Sequence, residues 1–220
     1  MEREEALPML RSLVGTDLCL LAAKMGIRLR NEDGRTNKGW AGHTLERFLE
    51  LPLNSSQSPN FGSWELKLAS LCFRKDGTLK VKETIAITMI DPVEVASKPF
   101  EDSHLYRKLC KQIVVARIWE SKKEERSLIH SVATFDLDNP LILGQVRADY
   151  ELVRRILTNG KLSDLSGRMG VLVQPRTKGP GGPGKKKTRA FYARTGFVAH
   201  ILDIAPVRLP EPATPATNIP

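Results

Sequence analysis

The chain has 220 residues, 41% of them apolar, and carries 34 Lys and Arg against 25 Asp and Glu, a formal net charge of +9. That length supports one large core or two small ones. The charge points to a polyanionic partner, nucleic acid above all, with a solubilising basic surface as the plainer alternative.

Cys19, Cys72 and Cys110 are widely spaced, with no CxxC pair. This argues against a zinc site and fits buried thiols in a reducing compartment. The acidic start, MEREEALPML, lacks the basic and apolar regions of a signal peptide. No apolar run approaches the roughly 20 residues of a membrane span. A soluble cytoplasmic protein is expected.

Taken in chain order, Leu7 to Met25 reads as one helix, with Leu10, Leu13, Leu18, Leu21 and Ala22 along its apolar stripe. Asn31 to Lys38 is a polar loop. Trp40 to Leu51 has helical spacing, with Leu45, Phe48 and Leu49 on one face and Pro52 to end it. Trp64 to Phe73 reads as a strand, Lys75-Asp76-Gly77 as a hairpin turn, and Leu79 to Met89 as a second alternating strand. A loop leads to a helix over His104 to Ile113, which runs into the apolar stretch Ile113 to Trp119. Ser127 to Phe135 is a further strand. Val146 to Leu157 is amphipathic, with Val146, Tyr150, Val153 and Leu157 on one stripe and Asn159-Gly160 as its stop. Gly170 to Gln174 is a short strand, Pro175 to Lys187 a Gly/Pro/Lys loop, and order returns from Phe191 to Ile204. The pattern is mixed α/β. No composition break separates two domains, so residues 1–209 are expected to form one domain, and 210–220 a Pro-rich disordered tail.

One stretch carries chemistry. In SPNFGSWELKL, Glu65 and Lys67 lie two apart on a strand and so share a face. A carboxylate there can hold Mg²⁺ against a phosphodiester, the Leu66 carbonyl can add an oxygen ligand, and Lys67 can orient or help deprotonate the attacking water. Alone, Glu-x-Lys is as readily a solvated pair on a strand. The Pro-Asn-Phe upstream raises it: Pro-acid-Phe, three residues, then Glu-x-Lys would form a restriction-type nuclease site, and Asn60 stands at the acid position. An amide oxygen still ligates metal but brings no charge.

Further on, QPRTKGPGGPGKKKTR places Arg176, Lys178, Lys185, Lys186, Lys187 and Arg189 among glycines and prolines. A flexible basic linker is the bland interpretation. The functional one is a DNA-binding loop, 174–189, that orders on phosphate contact. Arg176 could pair bidentately with guanine and Lys178 could reach a major-groove acceptor. The four histidines are isolated, and the three tryptophans suit a core better than base stacking. An RNA-binding protein is the poorer reading, since no RNA-recognition aromatic motif is present.

Five patches in this order resemble the MutH-like endonucleases, the family of the methyl-directed mismatch-repair nicking enzyme and related restriction endonucleases. They are NKGWAGHTLERFLEL, PNFGSWELK, DSHLYRKLCK, GVLVQPRTKG and TRAFYARTGF, and they lie within residues 35–200. The resemblance matches Glu46 to the acid of the first active-site helix. It matches Glu65 and Lys67 to the catalytic Glu-x-Lys, Asn60 to the metal-binding acid, and Lys108 to a basic residue near the scissile phosphate. Tyr192 matches an aromatic that senses an adenine of the site.

The resemblance implies a restriction-endonuclease-like (PD-(D/E)xK) α/β fold, a central mixed sheet flanked by helices. It also implies Mg²⁺ dependence, with Mn²⁺ able to substitute, and a double-stranded DNA substrate cut at a specific, GATC-like site. A bacterial, nucleoid-associated protein acting as a nicking monomer or as a homodimer on a palindrome would follow. The competing expectation is a catalytically silent, sequence-specific DNA-binding protein that keeps the groove and has lost the chemistry. Asn60 itself is open to two explanations, a native residue or an inactivating substitution.

Overall fold

The computed structural model describes residues 1–50, 63–179 and 188–210. Its centre is a mixed sheet of four strands. β1 (Glu65–Phe73) pairs antiparallel with β2 (Leu79–Val81) and parallel with β4 (Lys111–Ile118), and β5 (Ile129–Asp136) pairs antiparallel with β4 on the far side. A second, antiparallel sheet has β3 (Ile85–Met89) and β6 (Val173–Lys178) on either side of β7 (Thr188–Ala193).

β1 and β4 are covered on both faces. On one face Leu66, Ile113 and Val115 join Leu10, Leu18, Trp40 and Leu45 of the N-terminal helices α1 (Arg3–Arg11), α2 (Leu18–Lys24) and α3 (Trp40–Phe48). On the other, Ala69, Leu71, Val114 and Ala116 join Val146 and Tyr150 of α6 (Pro140–Thr158) and Phe197 of α7 (Thr195–Ile201). A strand buried on both faces reads as a nearly continuous apolar run. This is why Trp64 to Phe73 alternates only loosely. The helix-flanked mixed sheet expected from the sequence is present.

Several boundaries differ from the expectation. The helix over Leu7 to Met25 is two helices: Gly15, at φ +84°, turns the chain, and the Asp17 side chain accepts from the Cys19 amide to start α2. The left-handed turn and new cap override an unbroken apolar stripe. α3 ends before Leu49, with Glu50 left-handed at φ 56°; Pro52 lies outside the described residues. Leu79 to Met89 is two strands in two sheets, because β2 pairs with β1 while β3 leaves to pair with β7. A short helix not foreseen, α4 (Pro92–Ser97), starts where the Asp91 side chain accepts from the Val93 and Glu94 amides. α5 (His104–Leu109) stops four residues early, since Lys111 to Ile113 already belong to β4. α6 begins six residues before the expected Val146, capped by Asn139 with Pro140 in its first turn. Residues 174–178 and 188–189 of the expected loop are the facing ends of β6 and β7; 180–187 lie outside the described residues. Of the thiols, Cys19 is buried while Cys72 and Cys110 are half-buried.

α3 is fastened to the sheet by a buried ionic group. Arg117, in β4, donates to Glu124 Oε1 at 2.7 Å and to Ser127 Oγ at 3.0 Å, and its guanidinium sits 5.2 Å from the centre of the Trp40 ring. Trp40 Nε1 donates to the second Glu124 oxygen at 2.8 Å. Breaking a buried pair from one side leaves an uncompensated charge and costs about 3–5 kcal/mol. Arg117→Met is therefore expected to lower urea-unfolding stability by about 3 kcal/mol, and Arg117→Met/Glu124→Leu to recover most of it. Equal losses in the single and double variants would show that the pair does not fasten α3.

Candidate active site

The site forms where β1 has a strand neighbour on one side only. β2 reaches Leu71 to Phe73, so among the described residues the Glu65 to Ala69 half of β1 is paired only with β4. Glu65 is 1% exposed. Its Oε1 accepts from Lys67 Nζ at 2.6 Å and from Lys108 Nζ at 3.2 Å. The Glu65–Lys67 contact follows from the two-residue strand repeat. The Lys108 contact follows from register: Glu65 lies opposite Gln112, and Gln112 Nε2 donates to the Lys108 carbonyl at 2.8 Å, tying the last turn of α5 to the start of β4.

A buried carboxylate between two ammonium groups is compensated rather than stranded. Burial pulls the Lys108 ammonium below the ordinary lysine pKa, and Glu65 opposes that shift. Lys67 and the exposed Lys178 belong to the same electrostatic neighbourhood, since both push Lys108 further down. α3 brings in the second acid. Burial raises the Glu46 carboxyl above the usual carboxylate range; His43 and Lys67 act against the rise and Glu65 adds to it. Two carboxylates that repel each other in a partly dry place are an arrangement that a cation relieves.

Glu46 and Lys67 open onto a cleft of ≈ 770 Å³ that also takes in Lys38, His43, Lys82, Arg117 and Lys178. Lys82 lies 4.4 Å above the Trp119 ring at this rim. Trp40 and Trp64 are core residues as expected, but Trp119 is half-buried and faces the cleft. His43 faces it too, although it reads as isolated in the sequence. Its one legible signal is the i, i+3 spacing from Glu46, which puts both on one side of α3.

The structure thus brings together Glu46, Glu65, Lys67, Lys108 and Lys178, from α3, β1, α5 and β6. Arg176 and Tyr192 stand apart from this cleft's lining and meet each other, with the guanidinium 5.5 Å from the ring centre. Arg189 is on β7, opposite Thr177. Asn60, Lys185, Lys186 and Lys187 lie outside the described residues. Among the described residues no three His, Cys, Asp or Glu side chains cluster as metal ligands. Nor is any helix long and apolar enough to cross a membrane.

Residues 49–138 match the family model described as DNA mismatch repair enzyme MutH. That span holds Glu65, Lys67 and Lys108, while Glu46 and the β6–β7 arm lie outside it. The chain is 26% identical to the DNA mismatch repair protein MutH of Vibrio cholerae, over 91% of this chain and 95% of the relative. It is 27% identical to that of Vibrio vulnificus, over 79% of this chain and 81% of the relative. The type II restriction enzyme Sau3AI of Staphylococcus aureus is 22% identical over 78% of this chain, which spans 38% of that enzyme. The likeness read from five short patches thus extends along nearly the whole chain, which is MutH-like in sequence and restriction-endonuclease-like in fold.

Proposed function

We propose that this chain is a Mg²⁺-dependent endonuclease that cuts double-stranded DNA at a specific sequence, with a GATC-like site as the first to try. The observation that carries the proposal is the buried Glu65 carboxylate held by Lys67 and Lys108 beside a second acid, Glu46, on a basic cleft. Residues 1–209 would act as one endonuclease domain, with 174–189 as its DNA-binding arm.

The residues present suit a hard cation, which takes oxygen ligands. Glu65 and the amide oxygen of Asn60 would hold it, with the Leu66 carbonyl as a third oxygen and Glu46 holding the metal or its water. When bound, Mg²⁺, or Mn²⁺ in its place, supplies Lewis-acid polarisation and a more acidic water. The protein's own groups do the rest. Lys67 orients the attacking water, and its ammonium stabilises the hydroxide left when the proton passes to bulk water. Lys108, already poised at the same carboxylate, neutralises the scissile phosphate. Lys178, Lys185, Lys186, Lys187 and Arg189 grip the backbone, which fixes register without reading sequence. Arg176 reads a guanine edge and Tyr192 senses a neighbouring adenine. A cytoplasmic, nucleoid-associated protein follows from a DNA substrate, working as a nicking monomer or as a homodimer on a palindrome. One observation favours a second reading, a silent DNA-binding protein: Asn60 withholds a negative charge from the metal.

Cleavage of supercoiled plasmid in Mg²⁺ tests the proposal. The chain is expected to cut, Lys67→Ala to slow cutting by at least about 100-fold, and Asn60→Asp to lower the Mg²⁺ concentration required. Cutting by Asn60→Asp alone would mark Asn60 as an inactivating residue; cutting by neither would favour the silent DNA-binding protein. DNA affinity should fall steeply with salt, because each phosphate contact releases counterions; an affinity that barely changes between 50 and 200 mM salt would remove the basic arm from the model of binding.

Glu46 offers a test of the acid pair in EDTA. Because its folded pKa is raised, the stability that Glu46 contributes is present below its unfolded value and is lost as pH rises through the folded one. Glu46→Gln is therefore expected to raise Tm at pH 7, with the gain shrinking as pH falls toward about 4.3. A Tm lowered at pH 7 would mean that the carboxylate is held by attractive partners instead.

A further inference from the structure

Asp149 lies inside α6 and is 3% exposed. Its Oδ1 accepts from the Val171 amide at 2.8 Å and from Gln145 Nε2 at 2.9 Å; its Oδ2 accepts from the amides of Leu172 at 2.7 Å and Val173 at 2.8 Å. Three successive backbone N–H groups aimed at one point form an anion-binding concavity, and here the anion is part of the protein. The loop has no other way to run. Gly170 is at φ +74°, and a Cβ there would collide with the Val173 carbonyl and come within 3.2 Å of Asp149 Cγ. Arg194 braces the same loop from β7's end, donating from Nη2 to the carbonyls of Gly167 at 3.2 Å and Met169 at 3.0 Å, while its backbone N–H donates to Leu172 O at 2.9 Å.

The clamped loop presses on Arg176. A Cβ on Gly167 would stand 3.3 Å from Arg176 Cγ and 3.9 Å from its Cδ, so the arginine stem rests on bare glycine backbone. At the other end, Arg176 Nη1 donates to Thr84 Oγ1 at 2.6 Å and the guanidinium lies against Tyr192. Register explains the meeting: Gln174 pairs with Tyr192 and Tyr192 with Ala86, so Arg176, Tyr192 and Thr84 fall on one face of the β3–β7–β6 sheet. Arg176 is a solvent-exposed residue, yet its stem and its head are both fixed. An exposed arginine with no task would ordinarily be free to rotate.

We propose that Asp149, Gly167 and Thr84 are positioning residues that preorganise Arg176 for reading a base edge, so that sequence discrimination is set by a clamp on α6 remote from the Glu65 carboxylate. The inference rests on the reading of the chain as a sequence-specific DNA-binding endonuclease. Pairing with a base edge is angle-dependent, so a guanidinium held in one plane discriminates where a mobile one only attracts. Asp149 acts through the loop and Arg176 and touches no DNA itself.

Selection from a random-sequence duplex library, with Ca²⁺ replacing Mg²⁺ so that bound DNA is recovered intact, tests this on the full chain. The chain is expected to enrich one motif. Gly167→Ala and Thr84→Val, both outside the buried clamp, should keep the Tm and the affinity for non-specific DNA. They should also reduce discrimination at one base position by about 10-fold. Asp149→Asn should blur the same position while lowering Tm. Tyr150→Phe, which loses hydroxyl bonds to the Lys98 and Val95 carbonyls and none to the 167–173 loop, is expected to lower Tm and leave the motif sharp. A motif unchanged in Gly167→Ala and Thr84→Val overturns the inference, as does equal blurring by Tyr150→Phe. Failure of the unaltered chain to enrich any motif overturns the sequence-specific reading itself, and the inference with it.

Discussion

A carboxylate taken almost wholly out of water and bonded by two lysines is the constraint around which this molecule is arranged. Desolvating Glu65 without compensation would cost several kcal/mol. Lys67 arrives by local geometry, two residues along the same strand. Lys108 arrives only because β1 and β4 are parallel and in one register, with Gln112 opposite Glu65 and bonded back to the end of α5. A one-residue slip of β4 would turn its side chains to the other face and carry that junction away from Glu65. The apolar residues that lock the register, Val114 and Ala116 on one face and Ile113 and Val115 on the other, thereby also hold the ion group together.

The acidic pair and the basic cleft have opposite electrostatic tasks. Glu46 is half-buried and repelled by Glu65, a local cost of the kind that functional sites carry. On the proposed function, the surrounding lysines would attract a phosphate backbone and leave the acids to attract a cation. α3 can carry Glu46 in this position because the Arg117–Glu124–Trp40 group fixes its first turn to β4. The β3–β7–β6 sheet supplies the other wall, and its Lys178 is close enough to the acid pair to bear on Lys108. On the proposed function, recognition and chemistry would occupy different sheets joined through one apolar core, so that either could be altered with the other in place.

Some of this was legible in the residues. Glu65-x-Lys67 predicts a shared face from the strand period alone, and the structure places the two groups in contact. Lys108 and Glu46 were reached only through likeness to other chains, because neither helix shows a charge pattern that sets it apart from a solvated face. Arg117 left a trace, a lone cation in the run IVVARIW, but its partner Glu124 lies in a polar segment with no periodicity. The split at Gly15 was missed because an apolar stripe can continue across a turn when both helices pack on the same core. The split of Leu79 to Met89 was missed because alternation marks a strand and says nothing of which sheet receives it.

By itself, the sequence determined the approximate place of most strands and helices, the pairing of an acid with a lysine on β1, and the excess of positive charge. These depend on interactions within a few residues or on composition. Tertiary structure alone decided that Glu65 is buried, that Lys108 and Glu46 converge on it, that Lys178 joins them, and that Asp149 clamps a loop beneath Arg176. Each of these contacts joins groups far apart in the chain, and no local preference encodes them. They are set by parallel register, by a core shared between two sheets, and by backbone amides that find their acceptor only when α6 lies against β6.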